Sequence, residues 1–350
     1  MTGTSAPLPP RSAAARLVQP WPAAGFAVLV ACLAVWTGPI ANHDWANDWA
    51  NDWVGGGAGS LRAGLLVVPA LALGGFAALH YVASACTLRA ASGADLPWRE
   101  ACLSQLSASS ANRVTPGGLG GAALNVRYLT RRGVTPLRAL GAVAAMPVVG
   151  AAADLGVFAL VLLAGAWAPA GRSSPWSLLA GVAARAGRLL VAHPWVDTAV
   201  AALAAAVAAL VFRRARRHGA RGPRELLAEL TDLRRRPRDL AVMAAASAGT
   251  TLVLGCAMVA TLSFVVGPAV LPRTLPLLTA FLLGAAVGSA VPVPGGVGST
   301  DAALAASLVA AGIHVGQAVQ AVLIFRVVTF WAPAALGVLA ARHLRRAGAY

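Results

Sequence analysis

Long, uninterrupted apolar runs are the feature that most constrains the fold of this chain. Six of them approach or exceed the roughly 20 residues that an α-helix needs to cross a bilayer. They lie at about 21–41, 62–88, 137–168, 195–212, 240–267 and 316–341. Because 58% of the 350 residues are apolar and only 11% are charged, a soluble globular protein and a disordered chain are both excluded. The runs do not alternate as barrel strands do. They predict an all-α, polytopic helical membrane protein with about six full spans.

The distribution of charge supports the same class. All 28 basic residues are Arg, and 12 acidic residues leave a net charge of +16. In a soluble protein this charge would suggest a nucleic-acid partner. Here the Arg residues cluster in short segments beside apolar runs, as they do in the cytoplasmic loops of membrane proteins. We therefore expect no nucleic acid, a multi-pass protein of the plasma (inner) membrane with both termini cytoplasmic, and membrane lipids, anionic ones above all, as partners.

A basic linker divides the membrane region into two halves. The predicted segments are a disordered cytoplasmic N-terminus at 1–20, a first half at 21–212, the linker at 213–239, a second half at 240–341 and a cytoplasmic tail at 342–350. The linker leucines Leu226, Leu227, Leu230 and Leu233 fall on one helical face, which predicts an amphipathic helix. Asp232 can reach Arg235 or Arg236. This helix either lies on the lipid surface or recruits a partner protein.

A short motif occurs twice, once in each half. The segments Pro116-Gly117-Gly118-Leu119-Gly120 and Pro294-Gly295-Gly296-Val297-Gly298 match. They belong to loops at 115–121 and 292–301. The flanking arginines put both ends of the first element inside, and the second element enters from the opposite side. We therefore predict two broken or re-entrant helix pairs, at 101–132 and 275–313, in an inverted repeat. Two full spans in each place remain an alternative.

Pro and Gly at membrane depth have a physical consequence. Pro ends a helix, and Gly allows unusual backbone angles, so both loops leave unpaired backbone groups. Such groups are tolerated only inside protein or against a polar cavity. The N–H groups of the helix that follows would point into that cavity and suit an anion such as phosphate. The alternative is a tight loop between packed helices.

These loops and nearby polar residues form a predicted substrate path. Its members are Asn112, Arg113, Pro116, Gly117, Gly118, Gly120, Arg127, Asp154, Pro292, Pro294, Gly295, Gly296, Gly298, Asp301 and Arg326. Asp154 and Arg326 lie in the middle of spans, where a charge is costly unless it is paired or wetted. Their opposite signs suggest that they face each other, either as an ion pair or as an ion and head-group site. We expect His80 to be a packed polar residue.

Two of the remaining charges near the loops, Arg113 and Asp301, each have two interpretations. Arg113 either reaches a phosphate or extends to the inner membrane surface. Arg127 also flanks the first loop and is a candidate phosphate contact. Asp301 is either a site residue or a complement to the helix dipole after a Thr300 cap.

Several of these stretches resemble a known family. Residues 291–301, Gly312-Ile313, and the segment from Arg326 to Pro333 resemble the flippase-like membrane domain of lysylphosphatidylglycerol synthases. The earlier segment from Asn112 to Gly121, with Arg127 and Arg131-Arg132-Gly133, is similar to the first loop of the family. The resemblance covers about 60–341. It departs at Asp301, where the family usually has Glu, at Gly121, where an acid is common, and at Val149 and Gly150, where a Glu-Arg pair is usual.

The resemblance implies transport of a phosphate-bearing or polyprenyl lipid between leaflets. No soluble aminoacyltransferase domain follows the membrane region, so lipid lysylation is not expected. There is no nucleotide-binding P-loop and no Lys, so energy would come from a gradient or from substrate supply. We expect no enzymatic activity, no cofactor and no metal. The alternatives are a non-transporting scaffold for a lipid or glycan synthesis enzyme, and an enzyme that uses Asp154 and Asp301 on a lipid-linked substrate.

Overall fold

The structure is a bundle of helices. The computed structural model describes residues 59–115, 119–166, 174–181, 231–232, 234–290 and 298–350, with side chains from residue 71 onward and only the backbone at residue 290. The helices are α1 (Gly59–Ser92), α2 (Trp98–Val114), α3 (Leu119–Arg131), α4 (Pro136–Ala166), α5 (Pro237–Val266), α6 (Thr274–Ala290), α7 (Ser299–Ala310), α8 (Val315–Arg326) and α9 (Ala332–Arg346). A 3₁₀ helix, Pro268–Arg273, precedes α6, and a π-helical turn, Val327–Trp331, joins α8 to α9.

Five segments in the described part of the chain are long and apolar enough to cross a membrane. They are Leu71–Ser92, Pro136–Ala166, Pro237–Val266, Pro268–Ser289 and Val315–Arg346. The all-α, polytopic prediction is therefore confirmed, and four of these segments coincide with predicted spans. The fifth, Pro268–Ser289, falls in the stretch predicted to be re-entrant. The predicted spans at 21–41 and 195–212 lie outside the described residues.

Other sequence predictions also fall outside the described residues. These are the N-terminal segment 1–20, the linker leucines, and the loop residues Pro116, Gly117, Gly118, Pro292, Pro294, Gly295 and Gly296. The end of the linker is described. Asp232 and Arg236 form the predicted ion pair, with 3.4 Å between Oδ2 and Nε. Helix α5 begins at Pro237, three residues before the predicted boundary of the second half at 240.

Many arginines gather at one end of the bundle. Two arginine side chains lie against Gly93, which follows α1. They are Arg138, in the first turn of α4, and Arg236, just before α5. The Tyr128 ring near the end of α3 packs edge-on against Tyr350, with ring centroids 6.4 Å apart. Arg89 near the end of α1 lies over the Trp98 ring at the start of α2, and one buried apolar cluster joins the ends of α1, α3, α4 and α9. The C-terminal ends of α1, α3 and α9 and the N-terminal ends of α2, α4 and α5 therefore lie together. We call this end of the bundle the arginine-rich end.

The first Pro-Gly-Gly element is a helical hairpin. Helices α2 and α3 pack against each other, and an ion pair between Glu100 and Arg132 joins their outer ends at the arginine-rich end. The helices have 17 and 13 residues, or about 25 and 20 Å at 1.5 Å per residue. Both are shorter than the roughly 30 Å hydrocarbon core. The first hairpin, Trp98–Arg131, therefore enters the bundle and returns to the same end.

The second Pro-Gly-Gly element is a hairpin that opens in the other direction. Helices α6 and α7 pack together, and Thr300 lies against Gly288 near their tips. Arg273 before α6 donates to the carbonyl of Ala311 after α7, which joins the outer ends. Helix α5 runs from the arginine-rich end to Val266, close to these outer ends. The second hairpin, Thr274–Ala310, therefore opens at the opposite end, as the predicted inverted repeat requires.

The two hairpins also end in the same way. Gly133 and Gly312 follow α3 and α7 with φ of 81° and 85°, a conformation that L side chains rarely adopt. The residue after each glycine donates its N–H to the carbonyl five residues earlier, to Leu129 at 3.0 Å and to Leu308 at 3.1 Å. This is the glycine-terminated helix end known as the Schellman motif. Its occurrence in both hairpins supports an internal repeat.

Candidate functional site

A polar cavity of about 560 Å³ lies between the first hairpin, α1, α4 and the π-helical turn. Its polar lining comprises His80, Tyr81, Ser84, Gln105, Ser109, Asn112, Arg113 and Asn125, and its apolar wall includes Val143, Met146, Pro147 and Phe330. His80 is near the middle of the Leu71–Ser92 span, and Pro147 is well inside Pro136–Ala166. The cavity therefore lies at membrane depth, where a polar lining is unusual.

Arg113 gives this cavity its positive charge. It is in the last turn of α2, and its Nη1 donates to the Ser109 hydroxyl, which is also hydrogen-bonded to the Tyr81 hydroxyl at 2.9 Å. Its Nε is buried and has no hydrogen-bond partner. No carboxylate among the described residues pairs with Arg113, and no acidic residue lines the described cavity wall. A partly buried cation without a counter-charge favours the binding of an anion.

Phe330 connects the two halves of the molecule. The guanidinium carbon of Arg113 is 4.2 Å from the centroid of the Phe330 ring, and that of Arg326 is 4.5 Å away. Both are cation–π contacts. Phe330 belongs to the π-helical turn near the middle of the last span, and such turns are frequent at functional sites. The tip of the first hairpin and the middle of the last span therefore meet at one aromatic ring.

Arg326 is neutralised by the second hairpin. Its Nε donates to Oδ1 of Asp301 in the first turn of α7. The prediction that Arg326 faces Asp154 is therefore wrong: the tip of the hairpin brings a nearer acid to the middle of the membrane. Asp301 Oδ2 also accepts the N–H of Gly298 at 2.9 Å. Gly298 is the N-cap of α7, and Thr300 is inside the helix, so the expected Thr300 cap is wrong as well.

Asp154 lies elsewhere, between α4 and α5. Its Oδ1 accepts a hydrogen bond from the Thr251 hydroxyl. The carboxylate is exposed on the surface of the described bundle and does not line the cavity. A hydroxyl does not cancel its charge, so an ion or proton role for Asp154 stays a prediction.

Backbone N–H groups at the start of α3 are already bonded. Thr115 Oγ1 accepts the N–H of Gly120 at 2.9 Å, and Asn112 Oδ1 accepts that of Gly121 at 2.6 Å. The expectation that such N–H groups are open to an anion is wrong for these two residues. The side chains that end α2 cap the start of α3, because the hairpin places them against it. Attraction of an anion to this cavity therefore depends on Arg113.

The structure gathers some of the predicted residues and leaves others apart. Asn112 and Arg113 line the cavity, and Asp301 and Arg326 adjoin it through Phe330. Arg127 is exposed on α3 and does not line the cavity.

Sequence reasoning missed a buried polar group in the cavity wall. Asn125 Oδ1 accepts from Gln105 at 3.2 Å and from Ser104 at 3.3 Å, which ties α2 to α3. His80 also lines the cavity, and its buried Nδ1 has no hydrogen-bond partner among the described residues. Phe330 was missed because a single Phe in an apolar span carries no signal. The one usable signal in the sequence was the polar residue Asn125, which follows the first loop in an otherwise mainly apolar stretch.

Comparison with known proteins agrees with this architecture. Residues 29–337 match the family described as the lysylphosphatidylglycerol synthase TM region. No curated protein and no solved structure matched the chain. The matched range contains both hairpins, the polar cavity and the π-helical turn, and it begins before the stretch in which the sequence motifs resemble the family. Because the match covers most of the chain, the protein belongs to the lysylphosphatidylglycerol synthase TM region family.

Proposed function

We propose that this protein carries an anionic lipid, phosphate-bearing or polyprenyl-linked, between the leaflets of the plasma membrane without changing it chemically. The observation that carries the proposal is Arg113, a cation with no carboxylate partner among the described residues, in a polar cavity at membrane depth. A charge in that position is expensive unless something compensates it. The phosphate of a lipid head group supplies the missing charge.

The size of the cavity fits a head group and excludes a whole lipid. Its volume of about 560 Å³ is within the range of small-molecule sites. The acyl or polyprenyl chains remain in the surrounding bilayer. Moving these chains from the lipid into the protein would gain no hydrophobic free energy, because the bilayer interior is already apolar. The hydroxyl and amide groups of Tyr81, Gln105 and Asn112 on the cavity wall suit the polar part of a head group.

The two opposed hairpins suggest how the head group crosses. Transporters built from inverted repeats place the binding site near the midplane, where broken helices meet, and open it alternately to each side. In this protein the polar cavity is built around the first hairpin, and Phe330 with the Arg326–Asp301 pair lies between it and the second hairpin. Movement of Arg113 and the end of α2 away from Phe330 would let the head group pass.

The test is leaflet exchange in liposomes. The purified protein is reconstituted with fluorescent phosphatidylglycerol, and an external quencher reports the lipid that reaches the outer leaflet. We expect exchange above that of empty liposomes. We also expect Arg113→Gln to slow it at least about tenfold, because loss of a hydrogen bond to a charged group costs about 1.5–3 kcal/mol.

The matched control is Arg127→Gln, which removes an exposed Arg from the same hairpin. It should leave exchange unchanged. A second set of liposomes carries a fluorescent polyprenyl phosphate, since both lipids present the same anionic group. If neither lipid is exchanged by the wild-type protein, the transport proposal is wrong. Equal effects of the two substitutions would exclude Arg113 as the head-group contact.

A further inference from the structure

A second cavity, of about 370 Å³, lies at the end of the bundle opposite the arginine-rich end. It is formed where the outer ends of the second hairpin meet the short segment 174–178. Its lining includes Arg273 and Pro276 on one side, Ala310 and Gly312 on another, and Ser174. None of these residues belongs to the polar cavity around Arg113.

Arg273 carries a positive charge at the end of the bundle where arginine is otherwise absent among the described residues. Of the Arg side chains that the structure describes, it alone lies at this end of the bundle, while the others are at the arginine-rich end or at mid-depth. Membrane proteins carry an excess of Lys and Arg in the loops on one side, the cytoplasmic side. An Arg on the other side, directed into a cavity, therefore calls for a local reason.

The two hairpins differ in how the Arg at their outer ends is neutralised. In each, an Arg joins the outer ends of the two helices. In the first, Arg132 is neutralised by Glu100. In the second, Arg273 donates one Nη2 hydrogen to the Ala311 carbonyl, and its Nε is buried with no hydrogen-bond partner. No carboxylate in the described parts of the chain pairs with Arg273. Where the first hairpin has an acid, the second has a cavity.

We propose that this second cavity binds a phosphate-type oxyanion through Arg273. A guanidinium presents several donors in a planar fork that matches the oxygens of a phosphate, and only part of that fork is used by Ala311. The Ser174 hydroxyl, whose oxygen accepts the N–H of Ser177 at 3.1 Å, can donate its own hydrogen to the same anion. The assignment to a lipid head group at the second leaflet rests on the proposed function; the oxyanion site itself does not.

Calorimetric titration on Arg113→Gln protein tests this site, because that background removes the cation of the first cavity. The protein is held in nanodiscs of phosphatidylcholine. The probes are dihexanoyl phosphatidylglycerol, inorganic phosphate and, as a neutral comparison, dihexanoyl phosphatidylcholine. We expect saturable binding of the anionic probes, weakened at least about tenfold by a further Arg273→Gln substitution. Arg342→Gln, an exposed Arg at the other end, should leave binding unchanged.

A second variant separates binding from folding. Ala310→Leu narrows the cavity but keeps the Arg273 contact with Ala311, and it should weaken binding as Arg273→Gln does. Binding of both anionic probes supports a general oxyanion site. Binding of the lipid alone assigns the head group as the ligand, and binding of phosphate alone assigns a free anion. If neither anion binds, or if Arg273→Gln and Ala310→Leu both leave binding intact, the proposal is overturned. If wild-type protein exchanges lipid between leaflets but no anion binds at Arg273, only the second site is overturned. If an anion binds at Arg273 but no lipid is exchanged, only the transport proposal is overturned.

Discussion

At the residue scale, the two arginines that share Phe330 differ in how their charge is balanced. Arg326 has the carboxylate of Asp301, whereas Arg113 contacts the Ser109 hydroxyl and the Phe330 ring and has no carboxylate partner among the described residues. A buried cation with an acid beside it is electrostatically complete. One without an acid attracts an anion from outside. The ion pair with Asp301 is consistent with a structural role for Arg326, and the proposed function assigns the head-group contact to Arg113.

Replacement of Asp301 by Asn should destabilise the protein. The change leaves Arg326 without its counter-charge, and breaking a buried pair costs about 3–5 kcal/mol. Because the Asp301 side chain is 31% exposed, we expect the lower end, roughly 3 kcal/mol. The measurement is the melting temperature in nanodiscs. Asp154→Asn is the control, since an amide oxygen still accepts from Thr251. Equal melting temperatures for the two variants would contradict the pairing.

Replacement of Phe330 tests the aromatic junction itself. Phe330→Leu keeps an apolar side chain but removes the ring that both guanidiniums contact. Each cation–π contact is worth about 0.5–2 kcal/mol, so the melting temperature should fall by several degrees. Phe330→Tyr keeps the ring face and should melt close to wild type. A Leu variant as stable as the Tyr variant would show that the ring contributes only apolar volume.

The sequence predicted part of this chemistry. Asn112 and Arg113 were found because they precede a loop whose Pro and Gly residues mark a break at membrane depth. The partner of Arg326 was misassigned, since pairing by position along spans ignores a hairpin tip that ends at the same depth. His80 and Phe330 were not found, because one His and one Phe in apolar spans look like any packed side chain until the helices are assembled.

At the element scale, apolar run length and helix-ending residues predicted much of the fold. Four predicted spans agree with observed helices to within a few residues, and the predicted hairpin boundaries at 132 and 313 lie within one residue of Gly133 and Gly312, which end the hairpin helices. The close approach of paired helices was not predictable, because it depends on which glycine faces the neighbour. Gly121 faces α2, and an added Cβ there would be 2.4 Å from Asn112 Oδ1.

Gly121→Ala should open the first hairpin. Besides Asn112, the new methyl group would meet the Ala108 carbonyl at 2.7 Å, and the backbone cannot yield as a flexible side chain can. Overpacking of this kind costs about 1–3 kcal/mol. The control is Gly150→Ala on α4, where nothing lies within 4 Å, and which should be neutral or slightly stabilising. The measurements are the melting temperature and the rate of leaflet exchange of both variants. If Gly121→Ala matches Gly150→Ala in both, α2 and α3 are not in close contact at Gly121.

At the scale of the whole molecule, the arginine pattern and the repeated motif together specify a topology. The arginines predicted which loops share a side, and the structure brings Gly93, Arg138 and Arg236 together at one end. The repeat predicted that the second hairpin opens at the other end, as the link between Arg273 and Ala311 supports. The approach of Arg113 at the end of α2 and of Arg326 in α8 to the same Phe330 ring could not be predicted, since it depends on how far the first hairpin reaches into the bundle.

Opposed hairpins make a sharp prediction about accessibility. Thr135 follows the first hairpin and His314 follows the second, and both side chains are exposed. In a variant without the four native cysteines, single Thr135→Cys and His314→Cys substitutions report the side on which each hairpin opens. The positive-inside rule predicts that the arginine-rich end is cytoplasmic. A membrane-impermeant maleimide should therefore label Cys at position 314 in intact cells and Cys at position 135 only in inverted vesicles. Labelling of both positions from one side would contradict the inverted repeat. If instead position 135 is labelled in intact cells and position 314 only in inverted vesicles, the repeat stands and only the predicted orientation is reversed.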